Sequence, residues 1–584
     1  MNMQRPKAPS LFPRRLLPLM SVVFALFLAP DSILANYSVV STKHNLSTSG
    51  PGPIKSESEE QVCIFCHTPH HANTDIDTTH LWSRDLNTDV YDLYGSKTMT
   101  AAPLQPRGYS RLCLSCHDGT IALGVLHGGR TISVSGTGLA DGKLTAANRG
   151  FLGEDLSDDH PISFDYTLAL ANSNGELKPP ANLDPRIKLE GGTSLECTSC
   201  HNPHSDPYGG KFLAVSNLRS GLCTACHDKT GWNSNSHATS EKTWNGSGTD
   251  PWPSSTDLTV EENGCGNCHR PHTAQGQHLL NAVEESNCLV CHSGNVAAKN
   301  IAEEVDNKTY RHPVSDILDS GVHDAAEDYS GIVEKHVECV DCHNPHQVND
   351  SIKSAPLVPG RLAGVTGVMI DGTVINPAVN EYEVCFKCHG ALANNVRRDD
   401  AIPRVETQAD NSVKFATTNP SYHPVLGPRN SGRSTLLPPW ISSSVLYCTD
   451  CHNNDTIGGP TGPHGSNNKH ILVRKFETSE TPAASYNVAD YALCFGCHDQ
   501  NTLFGTTTKF KQHKTHVEMH TKKDRCVYCH DPHGSTQNPG LINFDLRPGI
   551  VTSNGGRPIV YKYNDSEIKK TSCVLVCHGT VHGS

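Results

Sequence analysis

Eleven times the chain reads Cys-x-x-Cys-His, and a twelfth site, "CVLVCH" from Cys573 to His578, has one extra residue between its cysteines. Together the twelve sites use all 24 cysteines. Cysteines at i and i+3 and a histidine at i+4 share one face of a helical turn, so two thiols and an imidazole converge. A zinc ribbon has no need of a histidine at every site, and disulfides do not call for one either. With only 34 histidines in 584 residues, one after every second cysteine is not chance. The pattern is the attachment signature of c-type haem. At the twelfth site the extra residue rotates His578 away from the cysteine face unless the turn distorts.

The covalent positions are therefore Cys63, Cys66, Cys113, Cys116, Cys197, Cys200, Cys223, Cys226, Cys265, Cys268, Cys288 and Cys291 in the first half. Cys339, Cys342, Cys385, Cys388, Cys448, Cys451, Cys494, Cys497, Cys526, Cys529, Cys573 and Cys577 complete them. The proximal iron ligands would be His67, His117, His201, His227, His269, His292, His343, His389, His452, His498, His530 and His578. The cofactor expected is haem c, twelve per chain.

The sites come in pairs. The first member is usually followed by x-Pro-His, as in "CIFCHTPH" and "CVYCHDPH", and the second is not, as in "CLSCHDGT". The fifth pair departs with "CTDCHNND", although "GPHGS" follows twelve residues on. Two pairs are compact and four carry longer inserts. An internal repeat of this kind organises the architecture. It divides the chain into a signal segment 1–35 and haem pairs at 36–130, 131–235, 236–300, 301–400, 401–505 and 506–584. On these motifs, and on the run from "KHNLS" through "CIFCHTPH", "LWSR" and "SRLCLSCHDGTIALG" to "DDHPISF", the chain resembles the doubled-CXXCH multihaem cytochromes, several of which belong to metal-reducing bacteria. The resemblance implies electron transfer and leaves partner and acceptor open.

Twenty-two further histidines remain for the second axial positions. Methionine is nearly absent beyond the signal, with only Met99, Met369 and Met519. Each pair has one x-Pro-His histidine: His70, His204, His272, His346, His464 and His533. Each also has one upstream: His44, His160, His237, His312, His423, and in the last pair His516, with His513 or His520 as alternatives. A histidine three residues beyond a proximal one cannot reach the far face of the same haem. The proline ends the turn and disfavours helix for the residue before it, so the second histidine is carried towards a neighbouring haem. Haem pairs each tied together by a CHxPH segment are the expectation. His71, His80, His127, His278, His323, His336, His470 and His582 have no place in this scheme and read as surface residues.

The apolar fraction is 36%, glycine and proline number 48 and 37, and mean hydropathy is -0.43. Such a chain lacks the side chains for a large core of its own. The fold expected is mostly irregular and loop-rich, with short α-helices at the haem sites and few short strands. It is a haem-cored multihaem cytochrome built of six haem-pair repeats, its buried apolar surface supplied largely by porphyrin. "GRTISVSG" and "GVMIDGTVI" alternate as hairpins would. A basic start, the run "LLPLMSVVFALFLA" and "SILA" ending at Ala35 read as a cleaved secretion signal. No later run is long enough for a membrane span, so the mature chain is expected in the periplasm or outside the cell. Net charge is -12 with no basic tract, which argues against nucleic acid. Other cytochromes, redox proteins and extracellular electron acceptors are the partners expected, and an oligomer or filament of copies is compatible. With every iron six-coordinate there is no open position for a substrate, so an electron carrier is favoured over an enzyme. The alternatives are a reductase of a small nitrogen or other oxyanion, which needs one open haem, and a subunit of an extracellular cytochrome filament.

Overall fold

The computed structural model describes residues 38–75, 80–253, 258–314, 337–391, 402–408, 410–429, 435–480, 485–505, 510–519, 524–562 and 572–582. The signal segment, His323, His336 and His520 lie outside them.

Eleven of the twelve motifs are helical, eight as single turns of α- or 3-10 helix and three at the ends of longer helices. The histidine N–H closes each regular turn on the carbonyl of the first cysteine, as at His67 (2.7 Å to Cys63 O), His201 (3.0 Å to Cys197 O) and His530 (2.9 Å to Cys526 O). Few helices run longer. Those that do are α1 (Gly108–His117), α2 (Leu168–Asn174), α3 (Glu284–Leu289), α4 (Ile301–Asn307) and α5 (Glu381–His389). The helical turn ends at the proximal histidine itself where x-Pro follows: His201, His343 and His530 have extended backbone at ψ 138°, 132° and 134°. Proline two residues on makes continuation unfavourable.

Regular sheet is confined to short ladders. Most pair two residues with two, among them Tyr310–Arg311 with Gly465–Ser466 and Ser421–Tyr422 with Gly534–Ser535. "GVMIDGTVI" does form a hairpin, Gly367–Val368 against Val374–Ile375, turned at Asp371 and Gly372, which sits at φ 86°. "GRTISVSG" does not: Val134–Ser135 pairs with the distant Lys55–Ser56. Among the described residues, the one larger sheet is near the C-terminus and has four strands: β1 (Val551–Thr552), β2 (Val560–Lys562), β3 (Ser572–Cys577) and β4 (Thr580–His582). Strand β3 is central and pairs antiparallel with the other three.

Two compact units carry this architecture. One comprises residues 1–89, 106–153 and 186–214, and holds the first three motifs; the other comprises 90–105, 154–185 and 215–584, and holds the remaining nine. Side-chain cores are small. The largest cluster joins Val527, Tyr528, Ile542, Phe544, Ile550, Val551 and Leu575, and others have only three or four buried members, such as Ile64, Phe65, Leu126 and Ile132. Polar groups fill interior positions that oily side chains would occupy elsewhere. Arg84, with no exposed surface, donates to Leu123 O (2.7 Å), Ala122 O (2.8 Å) and Ser115 O (3.3 Å).

Replacing that guanidinium removes the partner of several interior carbonyls at once. Arg84→Ala is expected to lower the stability of the first unit by about 3 kcal/mol, read from the shift of its denaturant midpoint.

Candidate functional site

An imidazole offers one nitrogen to a metal only when the other is fixed. The proximal histidines meet that condition through a repeated device. Nδ1 of His67, His201, His269, His452 and His530 lies 2.7, 2.8, 3.0, 2.9 and 2.8 Å from the carbonyls of His80, Lys211, His278, His470 and Gly540. The residue after each carbonyl is left-handed: Leu81, Phe212, Leu279, Ile471 and Leu541 have φ between 53° and 62°. The next residue then bridges back to the histidine backbone, as Trp82, Leu213, Leu280, Leu472 and Ile542 do. His343 uses Arg361 O (2.8 Å) and His117 uses Gly150 O (2.5 Å). With Nδ1–H donated to a carbonyl, the Nε2 lone pair is the free one. So His80, His278 and His470, read as surface residues, act through their main chains. Their recurring His-Leu or His-Ile pairs beyond the first motif of a pair were the available signal.

The other candidate ligands arrive as docked couples. An upstream histidine lies against the x-Pro-His segment of the following pair. His44 Nδ1 is 3.2 Å from Pro203 O, and His237 Nδ1 is 3.1 Å from Pro345 O. His160 N donates to Pro271 O (2.8 Å), His312 N to His464 O (3.2 Å) and His423 N to His533 O (3.1 Å). The side chain of the x residue shapes the turn. Asn202, Asn344 and Asp531 accept from the N–H of His204, His346 and His533 at 3.1, 3.0 and 3.1 Å, which is an Asx-turn. His272 lacks such a residue and is held instead by Asp159, 2.7 Å from its Nδ1.

Four of the five couples then face two motif histidines each, and in the fifth His160 faces one. His44 faces His117 at 6.2 Å between ring centres, and His204 faces His67 at 6.1 Å. His160 faces His227 (6.2 Å), His237 faces His292 (6.2 Å) and His346 faces His269 (6.0 Å). His312 faces His389 (6.4 Å), His464 faces His343 (6.1 Å), His423 faces His498 (6.5 Å) and His533 faces His452 (6.1 Å). The last pair differs, since His513 faces His530 at 6.2 Å and His516 faces His582 at 6.0 Å. These separations are too wide for ring contact, which His44 makes with Phe212 at 4.1 Å. Two metal–imidazole bonds of about 2 Å, plus the reach from nitrogen to ring centre, put the centroids roughly 6 Å apart across one ion. The gaps fit an iron between opposed imidazoles.

Several expectations change here. His204, His346, His464 and His533 each face the first-motif histidine of the preceding pair, so these x-Pro-His segments turn towards the preceding pair and not towards the second motif of their own. The reason is direction: the extended exit from the turn leads away from the pair's own second motif. His70, of the first pair, differs from the other x-Pro-His residues. It is exposed, its N–H near Thr68 Oγ1 at 3.4 Å, and makes no ring contact among the described residues. His464 stands in line despite its displaced position because Asn453 Oδ1 accepts from Gly462 N (2.9 Å), closing the insertion into a loop. In the last pair His513 stands opposite His530, while His516, the residue chosen from the sequence, stands opposite His582. His201 is held by Lys211 in the first unit, and His272 by Asp159 in the second. His71 is exposed, and His127 Nδ1 sits 2.5 Å from Asp85 Oδ1.

Neighbouring motifs also touch. In the first unit Ser110 of α1 accepts from Cys197 N (3.0 Å) and donates to Glu196 (2.5 Å), while the Cys113 and Cys197 thiols hydrogen-bond. In the second unit Ser220 accepts from Cys265 N (2.8 Å), Glu284 of α3 from Val340 N (3.0 Å), and Glu381 of α5 from Thr449 Oγ1 (2.6 Å). The thiols of Cys288 and Cys339, Cys385 and Cys448, and Cys494 and Cys526 meet at these junctions. Second cysteines approach within pairs: Cys66 with Cys116, Cys268 with Cys291, Cys342 with Cys388, Cys451 with Cys497, Cys529 with Cys577. Contact therefore passes from motif to motif in chain order through the first three sites in one unit and the last nine in the other.

Burial pushes the thiols of Cys66, Cys342, Cys388 and Cys451 up to about 12. A thiolate is disfavoured there, which suits thioether attachment better than a zinc thiolate site. No cysteine is in a disulfide. The twelfth motif is built differently from the rest: Cys573 and Cys577 lie on strand β3, and His578 follows at φ 46°.

Residues 191–232, 259–297 and 444–503, which hold the second, third and fifth pairs, match the family model of the doubled CXXCH motif. No curated protein matches the chain. Among the described residues no helix is long and apolar enough to cross a membrane.

Burial also acts on the facing histidines. It pulls His346 and His464 from 6.5 down to about 3, and His44, His227 and His292 down to about 4. Neutral imidazole is thus the folded form. The stability that depends on it is complete above 6.5 and is lost as pH falls towards those lowered values, because the unfolded chain takes up the protons first. In urea unfolding followed across that window, stability should decline with acid. His464→Ala should lessen the slope by about 1.4 kcal/mol per pH unit, the value for one proton.

Proposed function

We infer that this multihaem c-type cytochrome is a dodecahaem electron conduit, exported from the cytoplasm, whose irons are each held between two histidines. What supports the reading is the set of facing imidazoles, ten of which include the histidine of a regular Cys-x-x-Cys-His motif, at 6.0–6.5 Å.

When bound, each haem supplies a one-electron iron couple. The chain's residues do the rest. Two thiols per motif anchor the ring, and a carbonyl on Nδ1 holds the proximal imidazole in one tautomer. An x-Pro-His turn or an upstream histidine closes the opposite side and leaves no position for a substrate. Ligation by two histidines, without methionine, favours low potentials. Contacts that follow chain order support successive transfer from centre to centre. The charge balance, the signal-like N-terminus and the resemblance to exported cytochromes support a respiratory or extracellular role, with other cytochromes or extracellular acceptors as partners.

Mass spectrometry of the purified holoprotein should give the increment of twelve haems. Low-temperature EPR of the oxidised protein, with spins counted against total haem, should find all of them low-spin. A high-spin iron that shifts when nitrite or hydroxylamine is added would make the chain a reductase with feeder haems instead.

A further inference from the structure

We propose that Arg84, Lys178, Lys387 and Arg404, each seated on a carbonyl inside a motif turn, are positioning residues whose charge raises the potentials of the haems held there. The proposal rests on reading the motifs as haem sites.

The seat follows from local structure. A helical turn that stops at the motif histidine leaves the carbonyls of its two x residues without partners further along the helix. Side chains from elsewhere supply them. Arg84 Nη2 donates to Ser115 O (3.3 Å), Lys178 Nζ to Thr224 O (2.6 Å) and Arg404 Nη1 to Val527 O (2.8 Å). Lys387, itself part of "CFKCH", donates to Asp341 O in the first motif of its pair. These serve the first, second, sixth and fourth pairs. In the third pair the donor is an amide, since Asn281 Nδ2 donates to Gly266 O (3.3 Å) and Asn267 O (3.0 Å).

Asn281 shows that bracing such a turn needs no charge. The cations bring something more. Arg84, Lys387 and Arg404 are buried, and Lys178 is half-buried. Their charges fall on the second cysteines: Arg84 acts on Cys66, Lys178 on Cys226 and Arg404 on Cys529. Lys387 acts on both Cys342 and Cys388, so one ammonium serves both members of the fourth pair. Asp341 acts there too, as Asp524 does on Cys529. At Cys226, among the described residues, Lys178 is the one charge that acts.

The second cysteine of a motif is bonded to the haem edge, so a cation fixed beside it is fixed beside the ring. Reduction adds one electron and lowers the positive charge of the centre by one. A nearby cation in a poorly screened interior therefore favours the reduced form.

Lys178 offers the sharpest test. Its main-chain N–H donates to Cys226 O at 2.7 Å, so the segment stays anchored when the side chain changes. In a spectroelectrochemical titration of the holoprotein, Lys178→Gln should lower one midpoint by about 59 mV, the equivalent of a tenfold shift for one electron. Lys178→Arg keeps the charge and should keep the midpoint. Lys387→Gln should lower two midpoints, because both second cysteines of its pair feel that cation. Every haem should stay low-spin by EPR in all three variants, since none of them alters a ligand. Unmoved midpoints in the two Gln variants would overturn the proposal. So would an equal fall in Lys178→Arg, or a new high-spin haem in Lys178→Gln, either of which would make the contact a brace alone. Fewer than twelve haems, or a high-spin iron, in the wild-type protein would instead count against the conduit reading, a separate failure.

Discussion

A hydrogen bond from an imidazole Nδ1–H to a main-chain carbonyl is the interaction on which the rest of this structure hangs. It sets the tautomer, and with it the direction in which the other nitrogen presents its lone pair. Proximal histidines obtain the bond from a left-handed kink beyond the motif; His44 and His237 obtain it from the proline of an x-Pro-His segment. Proline has no N–H of its own, but its carbonyl is unencumbered and rigidly placed. One short sequence, x-Pro-His, therefore supplies a candidate ligand, releases the chain from the helical turn and orients a second candidate alongside.

Linkage between pairs follows. Because the docked couple joins the upstream histidine of one pair to the x-Pro-His of the next, the first, third, fourth and fifth pairs each have a motif histidine that faces an imidazole of the following pair. Ladders such as Ser421–Tyr422 with Gly534–Ser535 contain only two residues a side, yet they hold His423 beside His533. Regular secondary structure serves as a set of staples for ligand-bearing segments. This explains how a chain with such small side-chain cores keeps its histidines in register, and why buried polar residues such as Arg84 and Glu381 cross-brace neighbouring motifs.

The first and sixth pairs depart from this arrangement. His70 is exposed. In the sixth pair the segment from His513 to Met519 carries two histidines one turn apart, which face His530 and His582. A loop of twelve residues at the fifth pair, by contrast, changes nothing, since Asn453 ties its ends and His464 returns to the place the pattern requires. Spacing in sequence is a weak guide where a loop can close on itself.

Read alone, the sequence determined what is local. It settled which residues form the helical motifs, that the chain leaves the turn where x-Pro follows, and that most of the fold is irregular. Those follow from periodicity, from proline chemistry and from a count of side chains. Which histidine faces which was a matter for tertiary structure alone. It decided that His204 looks to His67 across more than a hundred residues, that His80, His278 and His470 offer their carbonyls to motif histidines, and that "GRTISVSG" pairs with a distant strand. At the last motif it turned the expected helical turn into a strand. The physical reason is the same throughout: a helical turn is closed by hydrogen bonds within five residues, whereas an imidazole selects its partner by direction through space, and direction depends on how distant segments dock.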